Sequence, residues 1–328
     1  MNDSVTGQTG AQVLLDREAL PPAPARPVAI AVPNVSEGRD PATVAALADA
    51  ARLPGLRVLD VHSDPDHNRS VMTVAGDPLA LQDAMVALAG EAMERIDLRR
   101  HRGAHPRIGA LDILPVVALT PDDLPMACEL AEGIAQRIGE ELALPVFRYG
   151  AIATSPERTR PHDFRRGGLE ALTQAVEDGD IVPDDGPRRI HATAGAVMVG
   201  AREPLIAWNV SLPGGTLDQA RAIAARVREA GGGPPGLRAL GMYLPDAGVA
   251  QVSMNLEDFR RTPPAVALAA VRREAERLGV EVGESELVGL IPSAALRGPS
   301  PSALRLRRFR PGQLLEAQLA SLRRHPRR

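Results

Sequence analysis

The stretch HRGAHPRIGALD, residues 101–112, sets His101 and His105 four residues apart, with glycine on both sides of the second. On a continuous helix, imidazoles at i and i+4 share one face and can grip a divalent metal. Gly103 lies between them and Pro106 disfavours helical backbone at His105, so the pair lacks the helix that a metal site would need. No adjacent acid offers a third ligand. What Pro106 supplies instead is an extended, restricted His105 at the mouth of a strand, between glycines that permit close approach of a ligand. An imidazole there titrates near neutrality and suits a general base. A loop histidine satisfied by backbone groups is the competing reading. On either reading His101 is a neighbouring or surface histidine.

Two further clusters carry chemistry. DVHSDPDHNRSV, residues 60–71, gathers His62, Asp64, Asp66, His67, Asn68 and Arg69 at the junction of two predicted strands. An Asx-rich turn accounts for the acids and the asparagine, while an arginine entering a strand could meet a substrate carboxylate. PDDGPRRIHATAGAVMVGAR, residues 183–202, carries Arg188, Arg189 and His191 on a glycine-bearing linker. Two adjacent arginines can hold an anion, and an interdomain linker would be polar in any case. GGGPPG, residues 231–236, lacks the preceding strand and following helix of a dinucleotide fingerprint and reads as a turn.

The elements that must position these residues follow in order. Residues 1–27, ending in PPAPARP, read as an extended arm. From Val28 the pattern predicts a strand, a helix capped by Asp40 with Pro41 behind it, strands near 56–61 and 69–75, a helix opened by Asp77 and Pro78, and the apolar run IGALDILPVVAL. A helix from Thr120 and Pro121, the strand LPVFRY and an irregular Pro/Arg/Gly stretch come next. The same order then returns: AVMVGAREPLIAWNVSL as strand, a helix capped by Thr216, a hairpin across PDAG, a helix from Thr262 and Pro263, and LVGLIP. Two β-α-β-β-α-β units of the ferredoxin-like, α+β kind are expected, a sandwich-like class in which a sheet carries its helices on one face, with a ligand crevice between them. The expected divisions are 28–200, 201–296 and a basic tail at 297–328.

Composition narrows the chemistry. The 328 residues, 44% of them hydrophobic, suffice for a sizeable core, and no apolar run approaches the length that spans a bilayer or forms a signal segment, so the cytosol is the default location. Cys128 is the only cysteine, which excludes an internal disulfide, a CxxC redox pair and a thiolate zinc cage. There is no lysine, so Schiff-base chemistry and a P-loop are excluded too. The net charge of -3 is uneven: nine arginines and one acid lie in 297–328, leaving 29 basic and 40 acidic residues elsewhere. Aromatic residues make up only 2% of the chain, too few for the stacking platforms of a nucleic-acid binder.

Taken together, VPNVSEGRD, DVHSDPDHNRSV, HRGAHPRIGALDILP, LPVFRYG, PDDGP with TAGAVMVGAREPLIAWNV, VSMNLEDF and ESELVGLIP resemble the glutamate formimidoyltransferase family, in the family's order, from about Ala29 to Pro292. FRPGQLLEAQL also looks like the end of bacterial members. The resemblance implies two α/β subdomains around a folate-binding tunnel, a homodimer, and transfer of a formimidoyl group from N-formimidoyl-L-glutamate to tetrahydrofolate as co-substrate, without a metal. It implies His105 as the catalytic histidine. It assigns folate to the segment Gly186, Pro187, Arg188, Arg189, Ile190, His191, Ala192, Thr193, Ala194 and Gly195, and places Arg69 near substrate. Arg107, Arg188 and Arg189 are further candidates for substrate carboxylates. Vertebrate-type members carry acids where this chain has Ala104 and His62. The resemblance covers the transferase part alone, so the cyclodeaminase domain of bifunctional relatives is not expected here and a separate enzyme would take that step. A formyl-handling folate enzyme, using N-formylglutamate or 5-formyltetrahydrofolate, and a non-catalytic folate-binding protein are the alternatives.

Overall fold

The computed structural model describes residues 28–307 and 309–324. The expected arm over 1–27 and the last residues of the basic tail therefore lie outside the described residues. Contacts divide the described chain into one unit running to Pro204, to which Leu244–Ala247 also belong, and another formed by Leu205–Tyr243 and the residues from Gly248 onward. Each has its own sheet.

In the first unit the chain runs through β1 (Ala29–Ala31), β2 (Asn34–Val35), α1 (Pro41–Ala50), β3 (Leu56–Asp64), β4 (Arg69–Gly76), α2 (Pro78–Arg95) and β5 (Leu111–Val117). Then come α3 (Leu124–Glu141), β6 (Val146–Gly150), α4 (Pro161–Arg165), α5 (Gly168–Glu177) and β7 (Val197–Arg202). β1 and β2 form one interrupted strand between β4 and β5, antiparallel to both. Pro33, which has no N–H to give a ladder, sits at the interruption. With β3 beyond β4, the four-strand order is the split βαβ one. β7 and β6 then extend the sheet in parallel beyond β5.

The caps read from the sequence are in place: Asp40 accepts from the Ala42 N–H, and Asp77 from those of Leu79 and Ala80. The helix expected from Thr120 begins one turn later, because Pro121–Asp123 form a single 3-10 turn closed by Thr120 and Asp123 before α3 starts. In α3, Leu130, Ile134 and Ile138 recur every four residues and are buried, the stripe that seats the helix on the sheet. Strand alternation divides the remaining apolar groups. Val146, Val197 and Val199 belong to the core under α1, α2 and α3, while Phe147, Tyr149 and Met198 join Phe164, Leu172 and Val176 of α4 and α5 in a smaller cluster.

The second unit comprises β8 (Ile206–Leu212), α6 (Leu217–Val227), β9 (Leu237–Leu244), β10 (Val249–Leu256), α7 (Pro264–Arg277), β11 (Ser285–Val288) and α8 (Leu315–Arg324). Its sheet order, β11-β8-β10-β9, again follows the split βαβ arrangement. Ile206, Trp208, Val210 and Leu212 alternate along β8 and bury against α6 and α7.

Two further stretches differ from the sequence expectation: the Pro/Arg/Gly stretch read as irregular holds α4 and α5, and the apolar run that follows it is divided. AVMVGAREPLIAWNVSL is not a single strand opening the second repeat. Pro204 sits where it breaks, and β7 belongs to the first sheet while β8 founds the second.

Gly195 has φ 71°, and a Cβ there would run into the Ile108 carbonyl oxygen. Its neighbours stitch 191–195 to the start of β5: Ala110 N–H donates to Ala194 O (2.8 Å), and Ala196 N–H to Ile108 O (2.9 Å). Gly195→Ala is expected to destabilise the protein by about 1–3 kcal/mol, through positive-φ strain and the collision, read as a lower urea midpoint.

Candidate active site

Of the residues singled out by chemistry, His105, Arg69 and Arg107 converge on one end of the first sheet. β3 and β4 are joined by a four-residue turn, Pro65–Asn68, so His62 lies within β3 and not in a loop. Asn68 adopts φ 46°, a conformation asparagine tolerates better than most residues. Its side chain ties three segments together: Oδ1 accepts from Gly38 N–H (3.0 Å), and Nδ2 donates to Arg102 O (3.0 Å).

The loop before β5 carries His105. Its glycines do not make room for a ligand, as the sequence suggested. A Cβ at Gly103 would strike the His67 carbonyl, and one at Gly109 the Ala196 carbonyl, so both positions are filled by the protein's own backbone. His101 is no surface residue either. It is buried, and its Nε2–H donates to Asn68 O (2.9 Å), the only direction a carbonyl acceptor allows. Burial, aided by the charge of Arg107, lowers the pKa of His101, which keeps the ring neutral. Arg107 braces the loop, donating to the carbonyls of His101 (3.0 Å), His105 (3.3 Å) and Gly103 (3.4 Å).

His105 is half-buried. Its Nδ1 lies 2.6 Å from Pro106 O, which can only accept, so Nδ1 carries the proton and Nε2 the lone pair of the neutral ring. The His67 ring stands 6.0 Å away between centroids. Burial pushes the pKa of His105 well below the usual histidine range. Arg69 and Arg165 push the same way, as does His67, and Asp112 pulls it back.

Asp112 is fully buried within β5. It accepts from Arg69 Nη1 (2.7 Å), from Arg165 Nη2 and from the Ile108 N–H (2.7 Å). Burial alone would raise its pKa, but Arg165, Arg69 and the backbone N–H together hold the carboxyl well below the usual carboxylate range. Arg69 also donates through Nε and Nη2 to Asn34 Oδ1, at 3.2 and 2.8 Å.

The segment from Gly186 to Gly195 starts beside α3 and ends beside the loop that carries His105. Gly186, at φ 78°, packs on Gly139 and the Leu144 carbonyl. His191 and Gly195 exchange backbone hydrogen bonds (3.0 Å each), and His191 Nδ1 accepts from Ala194 N–H (3.1 Å). A shallow pocket is lined by Pro187, Arg189, Ile190, His191 and Ala192 with Ala143. Arg188 and Arg189 are exposed, and neither pairs with Asp112. The Thr193 carbonyl accepts from Leu98 N–H (2.8 Å). Thus His105, Arg69 and Arg107 come together, the 191–195 end of the segment abuts their loop, and Arg188 and Arg189 stay outside. Among the described residues no group of three or more His, Cys, Asp or Glu side chains could hold a metal ion, and no helix is long and apolar enough to cross a membrane.

Residues 28–202 match the family model described as the formiminotransferase domain, N-terminal subdomain, and residues 207–300 that of the formiminotransferase domain. The chain belongs to the formiminotransferase family. It is 41% identical to the glutamate formimidoyltransferase of Streptococcus pyogenes over 81% of this chain and 89% of that one. It is 40% identical to that of Thermoplasma acidophilum over 88% and 96%. The formimidoyltransferase-cyclodeaminase of Rattus norvegicus is 39% identical over 81% of this chain but only 50% of its own length. Asn34, Asp112 and Arg165 complete the cluster without having stood out by residue type and spacing alone. An aspartate inside the apolar run LDILPVV was a signal for Asp112, since a charge is not buried there without partners. PHDFRR offers no comparable mark for Arg165.

Asp112→Ala leaves two arginines without their shared carboxylate and is expected to cost about 3–5 kcal/mol, seen in chemical denaturation. In the free protein the His105 ring, followed by NMR, is expected to titrate below pH 6.5. Its basic form then survives to lower pH than that of an ordinary histidine, and a midpoint at or above 6.5 would contradict the electrostatics described.

Proposed function

We propose that this chain is a glutamate formimidoyltransferase, moving the formimidoyl group of N-formimidoyl-L-glutamate to N5 of tetrahydrofolate and releasing L-glutamate, as a step of histidine degradation. The observation that carries this reading is His105: in a chain about 40% identical to enzymes of that name, its Nε2 is held as the lone-pair nitrogen beside a cluster of arginines.

The chemistry needs one base that takes a proton and returns it. N5 of tetrahydrofolate attacks the amidine carbon, forming a C–N bond and a tetrahedral adduct. His105 Nε2 takes the N5 proton. It then delivers a proton to the glutamate nitrogen, the old C–N bond breaks, and the C=N bond to the group's terminal nitrogen reforms, leaving the formimidoyl carbon singly bonded to N5. The imidazole ends neutral, as it began. A base of this kind contributes on the order of 10²- to 10⁴-fold, and the rest comes from holding two anionic molecules in reacting geometry. The tie from Nδ1 to Pro106 fixes the ring, while Arg107 fixes the loop that carries it. The segment from Gly186 to Gly195 is the proposed folate platform, with the exposed Arg188 and Arg189 available to the anionic folate tail. A separate cyclodeaminase would consume the product.

Purified protein given tetrahydrofolate and formimidoylglutamate is expected to release glutamate, and His105→Ala to lower kcat by about 10²- to 10⁴-fold. Turnover with N-formylglutamate alone would transfer the assignment to a formyl enzyme. Near-normal turnover by His105→Ala would remove it as the base.

A further inference from the structure

The charges around Asp112 do not balance. Arg69, Arg107 and Arg165 stand close to one another's fields, and Asp112 is the one buried acid that acts on all three; Glu170, which also acts on Arg107, is exposed. Arg69 donates from all three guanidinium nitrogens, to Asp112 and Asn34, and Arg107 from both terminal nitrogens to loop carbonyls. Arg165 differs. It reaches from α4 to the same Asp112 oxygen as Arg69, its side chain is only 16% exposed, and its buried Nε has no hydrogen-bond partner among the described residues. A guanidinium offers five donors in a planar fork matched to a carboxylate. An arginine with a buried donor unused, in a site with excess positive charge, fits an anion that binds there.

We propose that Arg165, presented by Asp112 alongside Arg69, binds a carboxylate of the amino-acid donor and sets the enzyme's preference for a dicarboxylic one. The donor's identity rests on the proposed formimidoyl transfer, whereas the carboxylate site rests on the arginines alone.

A bound carboxylate has a second effect. The groups that face His105 are Arg69 from β4, Arg165 from α4, Asp112 from β5 and His67 from the β3–β4 turn. Three of the four disfavour protonation of His105. A carboxylate arriving on Arg165 offsets that field and makes His105 a stronger base only once the donor is seated. Donor binding and proton uptake at Nε2 are then thermodynamically linked, each favouring the other.

L-Glutamate and glutarate serve as probes of the full-length protein. Both are expected to bind saturably and to raise the midpoint of the His105 ring titration. Arg165→Gln should weaken glutamate about tenfold or more and abolish the rise. Wild-type affinity in folded Arg165→Gln, checked by its melting temperature, overturns the proposal, as does failure of the wild-type protein to bind either probe. Should Arg165→Gln not fold, Arg165→Lys, which keeps a positive charge on Asp112 but loses the fork, is read in its place: weaker glutamate binding supports the site and unchanged affinity overturns it. Turnover assayed in parallel separates the two readings. Arg165-dependent glutamate binding without formimidoyl transfer by the wild-type protein would retain the carboxylate site and remove the transfer reaction.

Discussion

A single buried carboxylate organises the charged end of the first sheet. Asp112 sits in a strand whose neighbours are almost all apolar, and it stays ionised because two guanidiniums and a backbone N–H pay its desolvation. In doing so it fixes the ends of Arg69 and Arg165, side chains delivered by elements nearly a hundred residues apart in sequence. The positive field that, together with burial, lowers the pKa of His105 follows from that placement. So does the surplus of positive charge, since one acid cannot neutralise two bases.

Most of the architecture was legible before any coordinates. The caps at Asp40, Asp77 and Thr216 depend on local chemistry, a short acceptor side chain ahead of an amphipathic run, and they are found where the pattern puts them. The repeated β-α-β-β-α-β order follows from hydrophobic period and is likewise present. The extension by β6 and β7 was not legible, because strand periodicity says nothing about which sheet a strand joins. AVMVGAREPLIAWNVSL carries the pattern of one long strand, and only a proline marks where it changes allegiance.

The site was legible in part, and the division has a physical basis. His105 could be chosen over His101 from Gly103 and Pro106, because backbone restriction is a local property. Arg165 could not be found locally, since its meaning arises from a partner 53 residues away. The glycines around His105 show the opposite error. Their freedom was read as space for a ligand, but the chain itself uses that space, with carbonyls of His67 and Ala196 pressed against Gly103 and Gly109.

The stitching of 191–195 onto 108–110 has a consequence for how this protein could be rebuilt. Backbone bonds run both ways, from Ala110 to Ala194 and from Ala196, just past the segment, to Ile108, and Gly195 and Gly109 form a bridge with no side chain between them. They behave as one mechanical part although more than eighty positions separate them in the chain. A chimera that imported either segment from a relative would inherit a mismatched seam unless it carried both, so the natural unit of exchange is the pair.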